Sequence, residues 1–145
     1  MKVIIQRVSK ASVTIEGERK GRINKGLVLL VGIGSEDTKE VVEKYAKKII
    51  KLRIFEDKEG KTNLSLKDVD GELLVISQFT LYANSKRGNR PSFIEAARPE
   101  LAIPLYELFV EELKKEFSVK TGIFGADMKI ESINDGPVTI ILEDL

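Results

Sequence analysis

The sequence predicts an α+β fold: one mostly β domain over residues 1–145, with a sheet or barrel-like core and two main helices. Three observations predict it. Strand-like stretches occupy both ends of the chain and its centre. Apolar residues recur at helical spacing in only two segments. No repeat, low-complexity tract or domain break interrupts the 145 residues.

Val3, Ile4, Ile5 and Val8 mark a first strand, and Ala11 to Glu16 alternates, with Val13 and Ile15 on one face and Ser12 and Thr14 on the other. Glu16-Gly17-Glu18 and Asn24-Lys25-Gly26 read as turns. Leu27 to Val31 reads as a strand buried on both faces. Residues 38–52 predict a helix through Val41, Val42, Tyr45, Ala46, Ile49 and Ile50, with Asp37 and Glu40 as a capping box. Glu56 to Gly71 is polar and reads as an irregular connection. Glu72 to Leu81 predicts another strand, and Asn84 to Ser92 a basic loop. A second helix is expected from Pro99 or Leu101 to Phe117, its buried stripe formed by Leu101, Leu105, Leu108, Phe109, Leu113 and Phe117, with Pro104 near its first turn. Met128 to Ile133 and Val138 to Leu142 read as two strands around a turn at Asn134-Asp135-Gly136-Pro137.

Composition then restricts the chemistry. Lys and Arg total 24 against 23 Asp and Glu, a formal charge of +1, so any nucleic-acid contact is local rather than a matter of bulk charge. The chain has no Cys, which excludes disulfides, thiolate nucleophiles and cysteine metal sites. It has no His, which excludes an imidazole base and a Ser-His-Asp triad. The longest apolar run, Gly26 to Ile33, is too short to span a membrane, and Met1 to Arg7 carries no cleavage pattern, so neither anchor nor signal peptide is expected.

Four segments carry candidate chemistry, each with a plainer alternative. In Ser77-Gln78-Phe79-Thr80-Leu81, strand alternation puts Gln78 and Thr80 on one face, either as a solvated strand end or looking into a pocket. Asn134 to Thr139 is an ordinary turn, except that Pro137 opens a β-run and cannot donate to its ladder. Lys86, Arg87 and Arg90 are a solvated loop or a set of phosphate contacts. In Thr121 to Met128, Phe124 and Met128 pack a loop onto the core or line an apolar pocket. No phosphate-binding glycine loop, metal-spaced carboxylate cluster or aromatic RNA-binding pattern accompanies them.

Taken in order, Ile5-Gln6-Arg7-Val8, Ala11-Ser12-Val13, Arg53-Ile54-Phe55, Ser77 to Leu81, Arg90-Pro91-Ser92-Phe93, Phe124 to Met128 and Asn134 to Thr139 resemble the D-aminoacyl-tRNA deacylase family across essentially the whole chain. The resemblance implies hydrolysis of the ester between a D-amino acid, or glycine, and the 3′-terminal adenosine of tRNA. It implies a cytoplasmic homodimer with active sites at the interface, acting on D-aminoacyl-tRNA and glycyl-tRNA, with no membrane partner. No cofactor and no metal are expected.

The same resemblance implies the roles of residues. Ser77, Gln78, Phe79 and Thr80 form the catalytic segment, with backbone N–H groups near Phe79 and Thr80 suited to an oxyanion. Gly136-Pro137 is a cis pair that enters the partner's site and excludes L-substrates by backbone contact, with Arg7 holding it. Phe124 and Met128 hold the adenosine, Ala102 lies near the substrate, and Lys86, Arg87 and Arg90 are candidates for tRNA phosphates. Thr80 has two candidate roles, nucleophile or positioning group, and the absence of His favours assistance by the adjacent ribose hydroxyl. Two rivals stand beside this reading: a non-catalytic RNA-binding β-domain and a small-molecule esterase.

Overall fold

One long strand, β1 (Lys2–Ile15), organises the backbone. The computed structural model describes residues 1–145. β1 pairs antiparallel with β2 (Glu18–Ile23), β3 (Gly26–Gly32) and β8 (Lys129–Leu142). Its first half meets β3, its second half meets β2, and β8 follows both. β6 (Glu72–Ser77) lies parallel to β3, and β7 (Val119–Thr121) parallel to β6, giving the order β2-β1-β3-β6-β7. β2 curls back toward β7, where a Cβ on Gly21 would stand 3.1 Å from Lys120 Cβ. The sheet is therefore a nearly closed, barrel-like surface.

Each face of this sheet has its own apolar cluster. Val3 and Ile5 join the larger cluster, beneath the helices α1 (Lys39–Lys51) and α2 (Pro99–Lys114). Val8, Ala11 and Val13 join the smaller one, with Val28, Leu74 and Ile76 inside the curl. The inward parity changes between Val8 and Ala11, where Ser9 and Lys10 are exposed and the register with β8 shifts. A bulge of this kind bends a strand, which lets β1 serve both faces.

Several expectations are refined. The N-cap of α1 is Thr38, whose side chain accepts from the Val41 N–H at 3.4 Å. Asp37 instead accepts from the chain's terminal amine and from the Gly34 N–H, both at 2.6 Å, so its carboxylate is committed to the start of β1 rather than to the helix. The polar stretch after Glu56 is more ordered than its composition suggests: β4 (Phe55–Glu56) and β5 (Thr62–Leu64) form a hairpin around Asp57, whose carboxylate accepts from the Glu59 and Lys61 N–H groups. Helix α2 ends at Lys114, and Leu101 lies outside its buried stripe at 38% exposure. Asn134 to Pro137 is no reversal. β8 runs straight through, and residues 135–138 bulge out opposite Arg7 between the pairs Gln6–Thr139 and Val8–Asn134.

Two glycines separate conformation from space. Gly17 needs a positive φ of 76° in the β1–β2 turn, but a Cβ there would have nothing within 4 Å. Gly26 sits where a Cβ would run into the Glu72 backbone, the first rung of the β3–β6 pairing. Gly17→Ala is expected to cost about 1 kcal/mol, and Gly26→Ala about 3 kcal/mol or more, because backbone must shift. Urea unfolding of both variants checks the order.

Candidate active site

The site begins where β6 outruns its partners. The Gln78 N–H donates to the Val31 carbonyl at 2.7 Å, and β3 then ends at Gly32. β7 pairs only with Leu73 to Val75, so no strand pairs with the chain beyond Gln78. A backbone without a ladder needs other partners. The chain takes a short 3-10 turn over Phe79–Tyr82, in which the Leu81 and Ala83 N–H groups donate to the carbonyls of Gln78 and Thr80. The expected strand over Glu72 to Leu81 thus stops at Ser77, and simple alternation does not describe Gln78 and Thr80. The first N–H groups of such a turn, those of Phe79 and Thr80, have no acceptor within it, and neither donates to another backbone carbonyl.

Gln78 and Thr80 nevertheless meet. Gln78 Nε2 donates to Thr80 Oγ1 at 2.5 Å. The hydroxyl therefore receives a hydrogen bond and retains its own proton to donate. No side-chain base accepts that proton.

Ser77, Gln78 and Phe79 form one wall of a cleft of about 270 Å³, and Phe124, Met128 and Ile130 form much of the other. Phe124 is fixed from behind by Tyr106 of α2, their rings meeting edge to face at 5.8 Å. The Tyr106 hydroxyl is pushed well above its ordinary pKa by burial, stays protonated and donates to the Val75 carbonyl at 3.0 Å. Phe79, 54% exposed, is backed edge-on by Phe93 at 5.1 Å. Phe93 closes the basic loop, whose roots are tied by the Asn84 and Ser92 backbones at 2.8 and 2.9 Å. Lys86, Arg87 and Arg90 are thereby exposed beside the cleft and do not line it. The arrangement combines an apolar slot with unpaired turn amides and the Gln78–Thr80 pair near one end.

Not every expected residue joins this cleft. Ala102 is 4% exposed on α2, within the larger core, and does not line the cleft. The Gly136-Pro137 bond is cis, and both residues are exposed on the β8 bulge, outside the cleft of their own chain. Arg7, 5% exposed, lies under that bulge: its Nε donates to the Asp135 carbonyl at 3.0 Å and its Nη1 to the Ile54 carbonyl at 2.9 Å. Sequence reasoning misses Tyr106 and Phe93. Tyr106 is not among the residues read as the α2 stripe, and Phe93 enters only as the last residue of Arg90-Pro91-Ser92-Phe93, with no role assigned.

Known proteins can now be set beside this geometry. The model of the D-Tyr-tRNA(Tyr) deacylase family matches residues 4–143. The D-aminoacyl-tRNA deacylase of Flavobacterium johnsoniae is 57% identical over 145 residues, covering 99% of this chain and 97% of its own length. A solved structure described as c-Myc DNA Unwinding Element Binding Protein superposes with a TM-score of 0.94 at 44% identity, over 100% of this chain and 99% of that one. A probable eukaryotic D-amino acid tRNA deacylase shares the fold at a TM-score of 0.85 and 15% identity, over 97% of each chain. Fold and matches together define a hydrolase acting on aminoacyl-tRNA. The chain belongs to the D-Tyr-tRNA(Tyr) deacylase family.

Arg7 offers a test of how the bulge is held. Arg7→Lys keeps the charge but loses the fork that reaches two carbonyls. It is expected to cost about 2 kcal/mol in urea unfolding, since one buried acceptor loses its donor.

Proposed function

We propose that this chain, acting as one domain over residues 1–145, removes D-amino acids and glycine from the 3′-terminal adenosine of tRNA in the cytoplasm, as a homodimer. The single observation that carries the reading is the free end of β6: amides at Phe79 and Thr80 without backbone acceptors, next to an apolar slot lined by Phe79, Phe124 and Met128. In this reading the adenine lies on Phe124 and Met128, and the ester carbonyl points at the two amides. Water attacks the carbonyl carbon, the amides stabilise the oxyanion, and the ribose 3′-oxygen leaves. An aminoacyl ester is already activated, so positioning and charge stabilisation supply much of the acceleration.

Thr80 acts as a positioning group. Its hydroxyl accepts from Gln78, and no base stands ready to activate it. The neighbouring 2′-hydroxyl of the substrate then assists the proton transfers. No step needs an imidazole or thiolate, which the chain lacks.

Selection against L-substrates is assigned to Gly136 and Pro137 of the partner subunit, whose backbone would meet an L side chain. Glycine has no side chain to be refused. Two observations support a second copy. The exposed Gly136-Pro137 bulge has no part in its own cleft. In addition, Ile141, Ile4 and Leu30 form a cross-strand row, with Ile141 62% exposed and the other two only half-buried.

The decisive experiment compares D-tyrosyl-tRNA with L-tyrosyl-tRNA, each with a chelator present. Rapid loss of the D-ester alone is expected, with selectivity of about 100-fold or more, equivalent to ~2.7 kcal/mol at the transition state. Loss of both esters would remove the backbone filter and keep the hydrolase. Loss of neither would leave RNA binding without turnover. Thr80→Ala is expected to retain turnover within about tenfold, whereas a 3′-linked ester on a terminal 2′-deoxyadenosine should lose about 100-fold or more, the scale of general acid–base assistance. The reverse pattern would make Thr80 the nucleophile.

A further inference from the structure

Strand pairing aligns Arg22, Ser12 and Glu131 across β2, β1 and β8. Adjacent strands are ~5 Å apart, so Arg22 and Glu131 stand ~10 Å from each other with Ser12 between them. No ion pair forms between them. Lys10 and Arg19 complete the basic rim of a groove of about 430 Å³, and Ser132 lies beside Glu131 on the acidic side. None of Lys10, Arg19 and Arg22 has a carboxylate within the 4.0 Å span of the molecule's ion pairs. In a chain of net charge +1, this is a local concentration of uncompensated cations.

The floor of the groove carries a second signal. Apart from the tyrosines, Arg7 and Ser12 are the only buried residues with polar side chains. Arg7 is satisfied by two carbonyls. Ser12 is 7% exposed, yet its hydroxyl has no partner in the protein and keeps access to the groove it lines. A hydroxyl this enclosed gains from an incoming acceptor. β8 borders both sites from its two faces: Met128 and Ile130 line the cleft on the Val13 side, and Glu131, paired with Ser12, lines the groove on the other. At the rise of a strand, Met128 and Ser132 are ~13 Å apart.

We propose that this groove holds the sugar–phosphate backbone of the tRNA strand just upstream of its terminal adenosine. Lys10, Arg19 and Arg22 take phosphate oxygens, and the Ser12 hydroxyl donates to the phosphate that lies over it. Glu131, on the far rim, accepts from a ribose 2′-hydroxyl and repels a misplaced phosphate. The inference rests on the deacylase reading for the identity of the strand. It adds a built track to the exposed Lys86–Arg90 loop, which has no comparable floor.

The test compares two substrates, D-tyrosyl-tRNA and the 3′-D-tyrosyl ester of adenosine, which carries no phosphate. For the double variant Lys10→Ala with Arg22→Ala, kcat/KM on the tRNA is expected to fall about 30-fold, mainly through KM, and the slope of log KM against log salt to shrink by ~1.4, or ~0.7 per lost single-strand phosphate contact. The adenosine ester should be cleaved within about twofold of the parent rate, and Arg22→Lys should restore most of the tRNA affinity, as a phosphate contact allows. Unchanged KM and slope would overturn the proposal. So would equal losses on both substrates, which would tie the residues to the cleft itself. A change of oligomeric state in sedimentation would also overturn it, making the groove a protein contact. If the parent chain cleaves neither substrate, the deacylase reading fails separately. The groove is then judged by binding of uncharged tRNA across a salt series: weaker, less salt-sensitive binding by the double variant supports it, and equal binding overturns it.

Discussion

The double pairing of β1 is the constraint on which the rest of the molecule depends. One strand supplies ladder partners to β3, β2 and β8, and it can do so only by bending where its inward parity changes. Opposite that bend, β8 spends residues 135–138 against Arg7 alone. Their backbone groups lose ladder partners, and side chains replace them. Arg7 Nε takes the Asp135 carbonyl at 3.0 Å, while Asn134 accepts from the Val138 N–H at 3.2 Å and donates to Thr139 Oγ1 at 2.9 Å. The same guanidinium reaches the Ile54 carbonyl, so the bulge is fastened to the segment that follows α1. A buried cation with two carbonyl acceptors holds an irregular segment in one shape, and that segment is the one left facing outward.

The cleft follows from the opposite situation, a strand with too few neighbours. β6 is paired on both sides from Leu73 to Val75, on one side as far as Ser77, and not at all beyond Gln78. The 3-10 turn that follows trades ladder bonds for local ones and leaves its first amides free. The ends of β6 and β8 are then close enough for Phe124 and Met128 to face Ser77 to Phe79. The unpaired turn and the apolar slot are thus two consequences of one sheet geometry.

Much of the fold is legible in the sequence because period and burial agree. The β3 run, both helices and the Glu16-Gly17 turn lie where their patterns put them. The failures share a cause: each depends on a partner that local sequence does not name. Strand periodicity cannot end β6 at Ser77, because that end is set by where β3 and β7 stop. Turn chemistry at Asn134-Asp135-Gly136-Pro137 reads correctly as irregular and wrongly as a reversal, because only pairing with β1 keeps β8 running onward. Asp37 reads as a cap, although the chain's own terminal amine claims it. In the candidate site, Ser77 to Thr80 and Phe124 to Met128 stand out as segments, but Tyr106 is hidden in the apolar stripe of a helix. Ala102 shows the converse, an expected contact that packing holds inside the core.

A chain without His or Cys also shows why a search for titratable catalysts finds nothing here. The cleft offers amides, one amide–hydroxyl pair and apolar faces, and its one lining carboxylate, Asp127, lies 3.1 Å from Lys129 Nζ. Such groups do not create a nucleophile. They can hold an already activated ester and stabilise charge as it develops. Selectivity by exclusion suits the same material, because a backbone carbonyl refuses a side chain without any ionisable group. Two demands then fall on the scaffold rather than on special residues. The exposed bulge is held in one shape by the Arg7 hydrogen bonds, as the proposed exclusion requires. The cleft wall must be rigid enough to orient, which Tyr106 and Phe93 provide from behind. Chemistry of this kind is distributed through the fold, and the residues that matter most to it are those that keep the backbone where it is.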